Sequence, residues 1–391
     1  MRIVEARLFA LEIPFVEAFA HSTKHRTSSD SFVVRLVADD GSTGYGEGLA
    51  REYVTGETAP ESVAYIRNTL FPILLETNFP EIEIKERALD SLAPACELLP
   101  RESPGPVVRH AARAAVETAL IDCLLKRRRL SLGSILPPRR ASVAYGGAIT
   151  AGGVEKAVRH ALRFKLFGVK DIKIKIGDPD SVERAAAVRR AVGDDFSLRV
   201  DANGAYTPDE AAAVADALAR FGIDAFEQPF PAATAAAVAA RVNAKSPIPL
   251  MADESLVTVE DAERLAAARA FDFFNLRVAK CGGLYNALKI AEIAARHKIR
   301  LQIGCQVGET AILSAAGRHL AAHLAEARFV EGSYGTLLLA EDVSREAINF
   351  GHGGRAPLLR KAGLGVEIVE KTLEKYAVSV VTRGRKEAVN A

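Results

Sequence analysis

DIKIK at 171–175 opens a series that continues with FSLRVD (196–201), IDAFE (223–227), IPLMAD (248–253) and FDFFNLRVAK (271–280). Each stretch is short and strand-like, and each closes on a charge or on a residue next to one: Lys175, Asp201, Glu227, Asp253 and Lys280. The intervals between these charges are 26, 26, 26 and 27 residues. Ala-rich stretches of helical character lie between them. One strand, one helix and two loops take about this many residues in a β/α barrel of about 250 residues and eight units. The repeat therefore predicts that all five side chains stand on one rim, at the carboxyl ends of successive parallel strands, where such barrels keep their active sites.

Working outward, eight strands are expected near 142–147, 170–176, 196–201, 223–227, 248–252, 272–276, 299–303 and 328–331. Helices are expected near 152–167, 180–192, 208–221, 232–244, 259–269, 283–297 and 309–324, with 340–349 as the candidate for an eighth. Plausible caps open many of them, as in Thr207-Pro208-Asp209-Glu210. A closed (β/α)8 barrel over 131–355 is the reading. An open doubly wound sheet is the alternative, and it leaves a charge at the end of nearly every strand unexplained. Upstream, residues 1–13 and the hairpin SFVVRLVADDGSTGYGEG (31–48) read as antiparallel strands, followed by helical patterns at 60–76, 82–100 and 106–127. Residues 1–130 are thus an α+β domain. The tail, 356–391, returns to β character at Gly365–Val369 and is expected to pack back on that first domain.

Composition sets wide bounds. With 391 residues, 51 basic and 49 acidic, the net charge is +2, which argues against nucleic acid or an acidic membrane as an obligatory partner. The run Lys126–Arg129 reads as a solvated helix end. Four cysteines in no CxxC pattern suit a reducing cytoplasm. No signal peptide and no apolar run of about 20 residues is evident, so a cytoplasmic protein acting on a small molecule is expected.

Asp201, Glu227 and Asp253 are hard oxygen donors, and three carboxylates without His or Cys suit Mg²⁺, with Mn²⁺ as a substitute, rather than Zn²⁺. Asn203, two residues beyond Asp201, is expected at the ligand shell. Glu254 points to the other side of its strand from Asp253 and is expected to pair with a barrel cation. Lys173 and Lys175 alternate with isoleucines and so share the interior side, where neighbouring ammonium groups are expected to depress one another. Lys175 is read as a general base, Lys173 as a fixed charge beside a developing oxyanion, and Lys280 as a second base facing Lys175 across the barrel mouth.

Together KIK (173–175), DANG (201–204), Glu227-Gln-Pro, DES (253–255) and KCGG (280–283) resemble the enolase superfamily, specifically its muconate-lactonising subgroup, muconate cycloisomerases and dipeptide epimerases included. GSTGYGEG (41–48) and YVTGET (53–58) resemble that subgroup's capping domain, so the likeness spans essentially the whole chain. It implies a cap over a modified barrel, Mg²⁺ on Asp201, Glu227 and Asp253, and abstraction of a proton α to a carboxylate by Lys175 or Lys280, with Lys173 assisting. Barrels of this group often associate, so a homo-oligomer is expected.

Glu309 in GCQVGET matches a glutamate common in the subgroup, either facing substrate or behind the ligands; a helix N-terminal glutamate is the plainer alternative. Dipeptide epimerases carry Asp-x-Asp after the eighth strand, and here Gly332 and Tyr334 stand there, with Glu331 one residue out of register. A free α-ammonium is thus not recognised in the usual way, and Tyr334 is a substrate-contact candidate. In the capping loops the candidates are His21, His25, Arg26, Arg51 and Tyr53, with Arg26 or Arg51 placed to hold a distal carboxylate. The leading reading is a racemase or epimerase acting on an amino-acid derivative. The alternatives are a cycloisomerase or syn-dehydratase of the muconate or o-succinylbenzoate type, and a barrel that binds a ligand without chemistry.

Overall fold

The computed structural model describes residues 1–21, 24–100, 107–150 and 152–385, without the side chains of 18–21, 24 and 25. Its first unit is built on strands β1 (Ile3–Leu11), β2 (Ile13–His21), β3 (Lys24–Ser29), β4 (Phe32–Ala38) and β5 (Thr43–Gly48). β1, β4 and β5 pair antiparallel, and the expected turn at Asp39-Asp40-Gly41 joins β4 to β5. Helices cover Ala59–Glu76, with one wider turn inside, then Ala88–Cys96 and His110–Arg127. The middle one begins six residues later than the pattern at 82–100 predicts.

Alternate glycines in β5 decide how the last of these helices packs. A methyl group on Gly44, Gly46 or Gly48 would overlap the carbonyl oxygen of Ala119, Ala115 or Ala111 respectively. The helix backbone therefore lies directly on the strand, and the buried face is sealed without side chains from β5. Tyr45 and Glu47 alternate to the other side.

The second unit carries β6 (Ser142–Ala144), β7 (Gly147–Ile149), β8 (Asp171–Lys175), β9 (Ser197–Asp201), β10 (Ile223–Glu227), β11 (Leu250–Ala252), β12 (Phe273–Leu276), β13 (Arg300–Ile303) and β14 (Phe329–Val330). β7 to β14 form one eight-stranded parallel sheet in chain order, and the amide of Gly146 donates to the carbonyl of Val330 at 2.8 Å to bring its two edges together. This is a modified (β/α)8 barrel. Helices connect the strands close to the expected positions. Thr207 and Glu210 form the reciprocal cap read from sequence. Ala225, Met251, Phe273 and Phe329 form a separate apolar cluster among the strands.

Three expectations are corrected. The first barrel strand is Gly147–Ile149, because Ser142–Ala144 is held antiparallel by β15 (Arg355–Pro357) instead. No helix forms at 340–349: Asp342 binds the amides of Ala311 and Val343, and Ser344 bridges to Ile368, so this stretch is pinned in extended and bent form. The β character of the tail lies at β16 (Ala377–Gly384), not at Gly365–Val369. β16 pairs antiparallel with β1 and so completes the N-terminal sheet.

Two buried glutamates of the cap join the units. Glu47 accepts the amides of Thr310 and Leu313, at the start of the helix Ala311–His323. Glu117 accepts the amide of Tyr285, at the start of Leu284–Arg296. Helix N-termini present unsatisfied N–H groups, and a carboxylate satisfies them. Among the described residues no helix is long and apolar enough to cross a membrane, and Cys96, Cys123, Cys281 and Cys305 are free thiols.

Glycine substitutions should separate packing from propensity. Gly46→Ala should destabilise the protein by about 1–3 kcal/mol or more through overpacking. Gly317→Ala, in the interior of a helix with open space at its Cβ, should stabilise it by about 0.5–1 kcal/mol. Urea denaturation of both variants checks the opposite signs.

Candidate active site

Register brings the predicted charges together. Lys175 is the neighbour of Asp201, and Asp201 the neighbour of Glu227, on adjacent strands. Asp253 follows two residues after Met251, the neighbour of Glu227, and so falls on the same side. All three carboxylates are buried. Lys175 Nζ donates to Asp201 and to Asn203 Oδ1, both at 2.6 Å. Lys173 Nζ donates to Glu331 at 2.8 Å and stands 3.3 Å from both Glu227 and Asp201. Lys280 Nζ donates to the carbonyls of Asp253 and Asn275, at 2.7 and 2.8 Å, and to Asp253 Oδ1 at 3.0 Å.

Arg277 is the residue that the sequence reading passed over. Within β12, Phe273 and Asn275 share one side, and the side-chain Nδ2 of Asn275 donates to Glu227 Oε1 at 2.9 Å. Alternation puts Arg277, the first residue past the strand, on that same interior side. Its guanidinium donates to Asp253 and to Gln306 Oε1. It lies 24 residues after Asp253, and the regular interval drew attention to Lys280 instead. The end of the apolar run FDFFNL was the available signal.

Electrostatics follow from burial and pairing. Burial would raise Asp201, but Lys175 and Lys173 outweigh it and hold the carboxyl below its ordinary range. Asp253 is likewise held low against burial by Arg277 and Lys280. Burial, with Asp201 next, pushes Glu227 up to about 7. Lys173 is desolvated, yet Glu227, Glu331 and Asp201 hold it well above the lysine range. For Lys173 this reverses the depression expected from a neighbouring ammonium, because carboxylates are nearest to it.

Glu254 does not pair with a cation as expected. Its Oε1 accepts Asn203 Nδ2 at 3.0 Å, and its Oε2 is buried without a hydrogen bond. Burial, with Asp253 next, pushes its carboxyl up to about 7. Asn203 is thereby committed to Glu254 and Lys175. Glu309 accepts the amide of Gln306 at 2.7 Å, and burial pushes it up to about 8. Arg26 and Arg51 both bind Asp30, at 3.0 and 2.7 Å, and Arg51 also holds the carbonyl of Val307, so both are committed to tying loops rather than placed at the cavity. The side chains of His21 and His25 lie outside the described residues.

Three adjoining buried carboxylates, with an unpartnered buried oxygen on Glu254 beside them, are a donor set that suits a hard divalent cation. Among the described residues no three carboxylates already enclose a cation position. Lys175, Arg277 and Lys280 stand against them. Above lies a cavity of about 220 Å³ bordered by Lys173, Lys175, Asn203 and Arg277 on one side. Tyr53, Val307, Tyr334, Leu337 and Leu338 form its more apolar side. The hydroxyl of Tyr334 is buried and makes no hydrogen bond.

Comparison with known proteins agrees with this architecture. Residues 4–136 match the mandelate racemase / muconate lactonizing enzyme N-terminal domain, and residues 156–372 match the enolase C-terminal domain-like family. The chain is 29% identical to N-succinyl-L-Arg/Lys racemase of Bacillus cereus over 97% of its own length and 98% of the relative's. The crystal structure of that racemase superposes with a TM-score of 0.87 at 26% identity, covering 98% of this chain and all of that one. Identity is 32% to the hydrophobic dipeptide epimerase of Enterococcus faecalis, over 82% of this chain and 87% of that one. It is 30% to muconate cycloisomerase 1 of Pseudomonas putida, over 94% and 96%.

The buried triad of Glu331, Lys173 and Arg199 yields a pH signature. Burial would raise Glu331, but Lys173 and Arg199, at 2.8 and 2.9 Å, bring it from 4.5 down to about 2. A carboxylate with a lowered folded value stabilises fully above its ordinary value and loses that contribution as pH falls toward the folded one. Glu331→Gln should therefore cost about 3 kcal/mol or more at pH 7 and markedly less at pH 3. Unfolding free energies of the two proteins across that range check it.

Proposed function

The chain belongs to the enolase superfamily, in its mandelate racemase / muconate lactonizing enzyme branch, and on that premise we propose a Mg²⁺-dependent isomerase that moves a proton α to the carboxylate of a small organic acid. The observation that carries the reading is Lys175. It lines the cavity, remains partly exposed, and is oriented at 2.6 Å by both Asp201 and Asn203. Lys175 exchanges the α-proton through Nζ.

Asp201, Glu227 and Asp253 would hold the cation. When bound, it supplies electrostatic stabilisation to carboxylate oxygens as negative charge develops on them. Lys173 keeps its proton among three carboxylates and adds a fixed positive charge on the same side. The apolar wall excludes water and accommodates the rest of the substrate, and the Tyr334 hydroxyl offers it one polar contact.

The substrate carries no free α-ammonium. Among the described residues Glu331 is the only carboxylate bordering the cavity, and Lys173 and Arg199 already occupy it. N-acyl amino acids and unsaturated diacids meet this condition. Racemisation or epimerisation of an acylated amino acid is supported by the likeness to the N-succinyl-L-Arg/Lys racemase. Cycloisomerisation or syn-dehydration is supported by the likeness to muconate cycloisomerase 1.

Deuterium uptake in D₂O, followed by NMR with N-succinyl amino acids, dipeptides and muconate-type acids, tests the proposal. Uptake or product should require Mg²⁺, vanish with EDTA, and return with Mg²⁺ or Mn²⁺. Lys175→Ala should lower kcat by about 10²- to 10⁴-fold; undiminished turnover would remove Lys175 from the reaction.

A further inference from the structure

Resting on the proton-transfer reading above, we infer that this isomerase works with a single base, because Arg277, and not Lys280, is the cation that shares the cavity with Lys175. Four observations converge on this. Arg277 borders the cavity together with Lys175, whereas Lys280 does not border it. The Lys280 side chain has no exposed surface, while that of Lys175 is 16% exposed. All three ammonium protons of Lys280 have acceptors, two of them backbone carbonyls. Its backbone is fixed as well, since its carbonyl binds His110 at 2.8 Å and that of Gly282 binds Arg113 at 2.6 Å.

KCGG (280–283) is therefore a docking segment for the cap helix His110–Arg127. Gly283 belongs to the same arrangement: it has φ +117, and a Cβ there would overlap the Glu117 carboxylate. A lysine tied at both its backbone and its ammonium has no hydrogen to exchange with a substrate carbon.

A guanidinium holds its proton at any pH the protein meets, so Arg277 cannot take one from carbon. Its Nε is buried and makes no hydrogen bond, which leaves a donor for a substrate oxygen. The proton thus leaves to Lys175 Nζ and returns from it on one face only. Inversion of a stereocentre needs a group on the other face that returns the proton there and, for the opposite enantiomer, removes it; a guanidinium that never gives up its proton does neither. What one base completes is the making or breaking of a C–O bond at the β-carbon. In the closing direction an internal carboxylate oxygen bonds to the β-carbon of a conjugated acid. The alkene electron pair moves to the α-carbon and carboxylate, and Lys175 delivers its proton to the α-carbon. Opening reverses each movement, and no oxidant or reductant enters. The substrate class is accordingly a conjugated diacid or its lactone, or a β-hydroxy acid that loses water on the Lys175 face.

The test uses the Mg²⁺-loaded 391-residue chain in D₂O with N-succinyl-L- and N-succinyl-D-amino acids, β-hydroxy acids, muconate-type diacids and their lactones. One-face proton transfer, with a diacid, lactone or β-hydroxy acid converted and no inversion of either N-succinyl enantiomer, is the expected result. Exchange and inversion of both enantiomers would overturn the single-base inference and leave the proton-transfer reading standing. No exchange or product from any class would sink that reading, and this inference with it. Independently of substrate, reductive methylation of the folded protein read by mass spectrometry should label Lys175 at least tenfold faster than Lys280 (about the disparity expected between an exposed and a buried, bonded amine). Equal labelling would overturn the inference.

Discussion

A charge inside a barrel must be paired, and that constraint organises this molecule. Asp201, Glu227, Asp253 and Glu331 are removed from water at the carboxyl ends of their strands. Lys173, Lys175, Arg199, Arg277 and Lys280 bind them within one connected set. Isolated, any one of these charges would be very costly to bury. Together they are held in place by mutual attraction and by amides such as Asn275 and Gln302, which occupy the oxygens of Glu227. The same network separates the lysines by role: Lys173 is locked among carboxylates, Lys280 is locked to backbone, and Lys175 keeps a face toward the cavity.

The cap contributes to that network from a distance. Glu47 and Glu117 sit on the N-termini of the helices that follow β13 and β12. Arg51 holds the loop at Val307, and Ser29 the loop at Gly308. The loop at Val307 and Gly308, which borders the cavity, is thus tied to the first unit. Close backbone packing of β5 on the helix His110–Arg127 makes the unit rigid enough to position it.

Much of the site was legible because strand ends are legible. DIKIK, FSLRVD and IDAFE end on Lys175, Asp201 and Glu227, and the observed strands end on the same residues. Equal intervals then sufficed to bring them together. The last interval pointed to Lys280, whereas the nearby cation that borders the cavity is Arg277, and the reason is physical. Spacing counts residues to the next charge, but which of two nearby cations enters the barrel depends on where the strand stops and on what else claims the side chain. β12 stops at Leu276, so Arg277 takes the interior side and Lys280 falls in the turn beyond it. Glu254 escaped for a similar reason, since its partner is Asn203 of another strand's loop. The absent helix at 340–349 and the displaced tail strand were invisible because both answer to distant contacts, through Asp342 and β1.

By itself the sequence determined the barrel, the cap, the family resemblance and the side on which the carboxylates gather. These follow from periodicity, alternation and turn chemistry, which are local and repeat along the chain. Only the tertiary structure decided which cation reaches the cavity, which arginines are committed to Asp30, and which carboxylate is already occupied. Those outcomes depend on competition for hydrogen-bond partners between residues far apart in the chain, and a buried polar group takes whichever partner the packing brings within about 3 Å.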